Sequence, residues 1–189
     1  HTPFHVDPKL QKLFPDLPEA DNIYAATLYH ADLRIGQLLD AIDRMGVTKD
    51  TLVIFSSDNG PARGAPNSPI SLMYDSATGP GYGIGGAKGI TGGRRAFKGA
   101  LLEGGIGVPF IARWPGKIPA GKIDKSSIFS AVDLLPTFCE LAKVSLPKSY
   151  KTDGISQVKM LMGKGESKRQ KPLFWRLSAP WPANEAKPD

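Results

Sequence analysis

The apolar side chains Leu28, Ala31, Ile35, Leu38, Ile42 and Met45 recur at steps of three and four residues, and a second, unbroken apolar run follows at Thr51-Leu52-Val53-Ile54-Phe55. Steps of three and four align side chains along one stripe of a helix, so the spacing predicts an amphipathic helix from Asn22 to Met45, closed by Gly46. The second run does not alternate with polar residues. A strand of that kind is covered on both faces, the usual situation in a parallel sheet. Helix followed by doubly covered strand is the grammar of an α/β fold. With 189 residues and 41% hydrophobic content, the chain is long enough to bury a core.

Around that pair the sequence predicts further elements. Pro3, Pro8, Pro15 and Pro18 block any long helix before Asp21 and suggest an extended segment, one that reads as the middle of a longer sequence. From Gly60 to Gly93 the chain is rich in Gly, Pro and Ser, and Gly79-Pro80-Gly81 and Gly85-Gly86 predict a long loop without regular structure. Val108-Pro109-Phe110-Ile111-Ala112 reads as a second strand ended by the turn Trp114-Pro115-Gly116, with Pro109 confining it to an edge or a strand start. A second helix is predicted from Ala131 to Lys143, with Ala131, Leu135, Phe138 and Ala142 on one face and Pro136 in its first turns. Leu173-Phe174-Trp175 suggests a last short strand. No internal repeat or domain boundary is visible, so residues 1–189 are read as a single domain.

Composition narrows the function classes. No run approaches the roughly 20 apolar residues of a membrane span, and His1-Thr2-Pro3-Phe4-His5 has neither the basic start nor the apolar stretch of a signal peptide. A single cysteine, Cys139, excludes an internal disulfide framework. The formal charge of +6 favours anionic partners, but the basic residues run from Lys9 to Lys187 without an aromatic-interleaved stripe, which argues against nucleic acid. An anionic small molecule or polysaccharide, or simply a solvated surface, fits the same charge.

Three places carry residues suited to chemistry. Ser56-Ser57-Asp58-Asn59-Gly60 follows the first strand, and ligands of α/β sheets bind at the carboxyl ends of strands. Asp58 and Asn59 offer two hard oxygens to Ca²⁺ or Mg²⁺, with Gly60 permitting a sharp turn; the same tripeptide is also an ordinary turn signal. Lys98, in Phe97-Lys98-Gly99-Ala100-Leu101-Leu102-Glu103-Gly104-Gly105, is a compact cation suited to an anionic oxygen, or a plain surface lysine. His1 is a candidate proton donor or contact for an anionic group.

Taken in order, these segments resemble the sulfatase (arylsulfatase-like) family of the alkaline-phosphatase-like superfamily. The resemblance runs through His1-Thr2-Pro3, the long helix, Thr51 to Gly60, Lys98 to Pro109, Trp114-Pro115-Gly116 and Asp133-Leu134-Leu135-Pro136-Thr137. It implies the C-terminal portion of a catalytic domain with a mostly parallel central sheet flanked by helices. By the same resemblance Asp58 and Asn59 match ligands of a calcium ion, Lys98 matches the lysine on the sulfate and bridging ester oxygen, and His1 matches a histidine contacting that group and able to protonate the departing alcohol. His5 reads as a nearby subsite or surface residue. The substrate implied is a sulfated small molecule or sulfated polysaccharide, and the location implied is periplasmic or secreted.

The departures matter as much. The family's nucleophile is a formylglycine made in a Cys/Ser-x-Pro-x-Arg motif, which this sequence lacks, and Phe138-Cys139-Glu140 does not have its spacing. The family's paired aspartates, which complete the metal shell, are also missing. The expectation is therefore a chain inactive by itself and active within a longer parent. Gly107 stands where the family commonly has Arg. Lys88, Arg94 and Arg95 flank the glycine loop and suit either a polyanionic substrate or solvent. Two other readings remain: a phosphate or phosphonate ester hydrolase of the same superfamily, and a noncatalytic remnant that binds sulfated glycans.

Overall fold

The computed structural model describes residues 4–62, 72–75, 79–82 and 90–176. The chain divides into two compact units. One comprises His1–Met45, Ser56–Pro109 and Leu177–Asp189, the other Gly46–Phe55 and Phe110–Arg176.

The first unit opens with a single helical turn, α1 (Pro8–Gln11), whose N-cap Asp7 accepts from the Lys9 amide at 2.8 Å. The long helix α2 spans Glu19–Arg44, with Glu19 and Asp21 in its first turn and Arg44 in its last, each matching the helix dipole. It starts three residues before the predicted Asn22. Pro18 occupies the N-cap, where a missing N–H costs nothing, and it lets the turn form ahead of the stripe. Gly46 then adopts φ +70° and ends the helix as predicted. Asn22 ties α1 to α2 by donating its side-chain amide to the carbonyls of Gln11 (2.9 Å) and Phe14 (2.7 Å). Phe4 meets Tyr24, and Phe14 meets Tyr29, edge to face with centroids 6.1 Å apart. Phe4 and Ile23 form the buried heart of this packing.

The stretch predicted as irregular contains a hairpin: β2 (Leu72–Asp75) pairs antiparallel with β3 (Gly79–Tyr82) in the register Leu72↔Tyr82 to Asp75↔Gly79. Gly79-Pro80-Gly81 does not prevent it. A two-stranded ladder makes both members edge strands, and an edge tolerates a residue without an N–H.

In the second unit β1 (Val53–Ser56) neighbours β4 (Phe110–Arg113). Pro109 stops just outside β4, as its ring requires. The Trp114-Pro115-Gly116 turn follows, its Trp114 carbonyl accepting from Lys117 (3.0 Å) and Ile118 (2.9 Å), while the Trp114 indole donates to the Lys49 carbonyl at 2.6 Å. A 3-10 turn at Ala131–Asp133 leads into α4 (Leu134–Ala142), which ends on Lys143 at φ +56°. A short helix, α5 (Val158–Leu161), packs on α4. Leu173-Phe174-Trp175 is not a strand: no ladder forms there among the described residues, and Phe174 is 86% exposed.

Asp133 organises this unit. Fully buried, it accepts from the amides of Ser130 (3.0 Å) and Ile155 (2.9 Å), from the Gln157 side chain (3.2 Å) and from Arg169 Nη2. Thr137, equally buried, donates to the Asp133 carbonyl at 2.6 Å and accepts from the Gln157 amide at 3.0 Å. Burial works to raise the Asp133 pKa, but the Arg169 bond and then the Ile155, Ser130 and Gln157 donors outweigh it, and the carboxyl lies below its usual value.

The apolar α4 stripe, Leu135 and Phe138 included, is solvent-exposed, and the polar residues Asp133 and Thr137 are the buried ones. On α2, Leu28 and Leu38 are exposed as well; on the strands, so are Phe55 and Ile111. The buried apolar side chains among the described residues are Phe4, Ile23, Ala26 and Leu161. The helix and strand faces were correctly read as apolar. What they lack is a covering layer, which the described residues do not supply.

Asp133→Ala would leave Arg169 buried without its counter-charge and is expected to cost about 3–5 kcal/mol in denaturant unfolding. Because the folded pKa is depressed, the wild-type contribution is present above the ordinary Asp value of about 3.9 and is lost as pH falls below it. The stability gap between wild type and Asp133→Asn should therefore narrow in acid. Conversely, Gly36 sits inside α2 with open space where a Cβ would go, and Gly36→Ala should raise stability by about 0.5–1 kcal/mol in the same assay.

Candidate functional site

β1 delivers the chain directly into Ser57-Asp58-Asn59-Gly60, and one long-range and two local bonds fix that turn. Ser56 donates its hydroxyl to the Pro109 carbonyl at 3.0 Å, and Ser57 donates to the Asn59 carbonyl at 2.9 Å. Asn59 donates its side-chain amide to the Gly60 carbonyl at 2.9 Å. That bond uses the nitrogen and leaves the amide oxygen, the atom a hard cation needs, without a donor among the described residues. Asp58 is exposed, and no described group hydrogen-bonds its carboxylate.

Lys98 reaches the same neighbourhood through backbone contacts. Gly60 N–H donates to the Gly105 carbonyl at 2.8 Å, Lys98 N–H donates to the Pro61 carbonyl at 2.9 Å, and Gly104 N–H donates to the Arg95 carbonyl at 2.7 Å. Three segments, 56–61, 94–100 and 102–107, are laced together. The third contains the short helix α3 (Glu103–Ile106). The lacing requires glycine at three positions. A Cβ on Gly60 would run into the Gly104 carbonyl, one on Gly104 into the Ala96 carbonyl, and one on Gly105 into the Ala100 carbonyl. Gly60 was read from sequence as the means of a sharp turn, yet it is not among the positive-φ residues. Its role is close approach: the Glu-Gly-Gly backbone lies where any side chain would be. The same sequence signal, paired glycines after Glu103, marked the region, but which backbone they admit depends on long-range packing.

Ala96 adopts φ +68° within this knot, a left-handed conformation that costs an alanine about 1–2 kcal/mol. The Lys98 side chain is exposed, with no ion pair among the described residues. Gly107, at the position where the resemblance implied Arg, lies under another arginine: a Cβ there would come within 3.2 Å of Arg94 Cδ and 3.3 Å of Arg94 Nε. Arg94 thus occupies the space that a side chain at 107 would enter.

Asp58, Asn59 and Lys98 therefore stand on segments bonded to one another, all within the first unit. His1 and Lys88 lie outside the described residues. Asp58 and Asn59 fit part of a calcium shell, supplying two oxygens where such an ion takes about 6–8. Among the described residues there is no cluster of three or more His, Cys, Asp or Glu that would hold a metal unaided.

Gly60→Ala and Gly104→Ala should each cost about 1–3 kcal/mol or more by overpacking the knot. Denaturant unfolding would measure it, and a variant as stable as wild type would mean that the close approach is not needed.

Comparison with known proteins adds a family. The sequence model of the sulfatase family matches residues 1–144. Arylsulfatase G of Rattus norvegicus is 32% identical over 172 residues, covering 88% of this chain and 29% of that protein. Arylsulfatase A of Homo sapiens is 35% identical over 152 residues, covering 80% and 26%. Among solved structures, Ps i-CgsB in complex with k-i-k-neocarrahexaose superposes with a TM-score of 0.67 at 28% identity, covering 88% of this chain and 32% of that one. The chain thus spans less than a third of the length of these relatives.

Proposed function

The chain belongs to the sulfatase family, and we propose that it forms the C-terminal portion of a catalytic domain that hydrolyses sulfate esters. The observation that carries this reading is the glycine knot, which bonds the segment after Asp58-Asn59 to the backbone of Lys98. On this reading β1 and β4 belong to a larger, mostly parallel sheet, and the bare apolar faces of α2 and α4 pack against the rest of that single domain. The α/β character is already plain in the two sheets and five helices among the described residues.

The residues divide the work. Lys98 places a positive charge on the sulfate and its bridging oxygen, favouring the transition state in which that oxygen gains charge. Asn59, with its nitrogen held by the Gly60 carbonyl, presents its oxygen beside the Asp58 carboxylate toward a divalent cation, Ca²⁺ or Mg²⁺. When bound, such a cation draws electron density from the sulfate oxygens. His1 is assigned to the sulfate and to protonation of the departing alcohol. The nucleophile, a formylglycine, is assigned to a Cys/Ser-x-Pro-x-Arg segment, which this sequence does not contain. A sulfated small molecule or glycan is the proposed substrate, in line with the oligosaccharide in the Ps i-CgsB complex, and the proposed location is the periplasm or the outside of the cell.

In the longer parent, Lys98→Ala should lower kcat/KM for an aryl sulfate by about 10²–10³, with an unchanged melting temperature. The 189-residue chain alone should show no turnover. Preference for an aryl phosphate over an aryl sulfate would move the assignment to phosphate esters, and undiminished turnover by Lys98→Ala would remove the lysine from the mechanism. Chelation should lower the parent's melting temperature, and this effect should be smaller in Asp58→Ala.

A further inference from the structure

The chain's positive charge, spread along the sequence, is not spread in the structure. Gly46–Phe55 and Phe110–Arg176 hold fourteen Lys and Arg against six Asp and Glu, a balance of +8, while the whole chain carries +6, leaving the unit with Asp58 and Lys98 at −2. Within the basic unit two clefts adjoin, sharing Ile155 and Lys168. One, of about 480 Å³, is walled by Glu140, Lys159, Glu166, Ser167 and Lys168; the other, of about 250 Å³, by Asp153, Lys168, Arg169, Gln170 and Lys171.

The lining is chemically selective. No described carboxylate pairs with Lys159, Lys168 or Lys171, although Glu140 and Glu166 stand in the same wall. Buried in two lining residues are donors with no acceptor: Ser167 Oγ, and Nε and Nη1 of Arg169, whose Nη2 is already held by Asp133. An unmet buried donor is destabilising, and an anionic oxygen or a bridging water would relieve it. No aromatic side chain lines either cleft, so a nucleic acid would find no stacking platform, and the carboxylates would repel its evenly charged backbone. Those carboxylates do suit sugar hydroxyls, which donate to them between charged groups.

We propose that the paired clefts form a binding track for a sulfated polysaccharide, with Lys159, Lys168 and Lys171 receiving its anionic groups and Glu140, Glu166 and Asp153 its hydroxyls. The track stands on the charge and shape of its own unit and does not depend on the hydrolytic reading of Asp58, Asn59 and Lys98.

The test is calorimetric titration of the full chain with a heparin-derived octasaccharide, with a single-stranded oligonucleotide of matched charge as comparison. Lys159→Glu/Lys168→Glu should weaken octasaccharide binding by on the order of tenfold, while Lys9→Glu/Lys12→Glu, in and just after α1 and an equal change in net charge, should change it less than about threefold. Thermal melting checks that the variants fold. If the cleft variant does not, acetylation of the wild-type protein decides instead: bound octasaccharide should protect Lys159 and Lys168 but not Lys9. No binding, equal weakening by both pairs, tighter binding of the oligonucleotide, or no selective protection would each overturn the proposal.

Discussion

Backbone packed against backbone at Gly60, Gly104 and Gly105 is the constraint on which the candidate site depends. Each glycine faces a carbonyl at a distance that no Cβ could share. A hydrogen bond from Gly60 to Gly105 and another from Lys98 to Pro61 then fix segments that lie some forty residues apart in sequence. Side-chain packing would not give this precision, because side chains can repack when perturbed. A carbonyl facing a missing Cβ leaves nothing to rearrange. Asp58, Asn59 and Lys98 inherit their relative placement from that junction, and the left-handed Ala96 is a local strain the junction sustains.

The second unit is built on a different principle. Its centre is a buried carboxylate, Asp133, satisfied by two backbone amides, a carboxamide and a guanidinium. The segment from Thr152 to Gln157 is gathered around it, with Gly154 pressed against the Val132 carbonyl. A polar centre specifies geometry through directional bonds, where an apolar one would be content with volume. It also suits a unit whose apolar residues, Phe138 and Ile111 among them, point away from its own interior.

Much of this was legible in the sequence. The three-and-four spacing found α2, Gly46 marked its end, the unbroken apolar run found β1, and Pro136 placed the start of α4, since each rests on local geometry. The hairpin at Leu72–Tyr82 was missed because proline rules describe central strands better than isolated edges. That the apolar face of α4 is uncovered could not be read for another reason: periodicity reports which face is apolar, not whether a neighbour covers it. Asp58, Asn59 and Lys98 were picked out by residue type and order. That glycines hold them together could not be read, because a glycine's partner carbonyl is a tertiary fact. Nor does a count of lysines along the chain reveal that the basic charge gathers in one of two units.

The knot has a consequence for what lies between its two halves. The Lys98–Pro61 bond holds the two ends of the chain between them together, and each doubling of a closed segment's length costs only about 0.6 kcal/mol in closure entropy. Insertions and deletions short of Arg94, where the knot resumes, would leave the anchor untouched. A scaffold of this kind can keep Asp58, Asn59 and Lys98 in place while the chain between its anchors varies in length, so the position of those groups and the length of that connection are free to evolve separately.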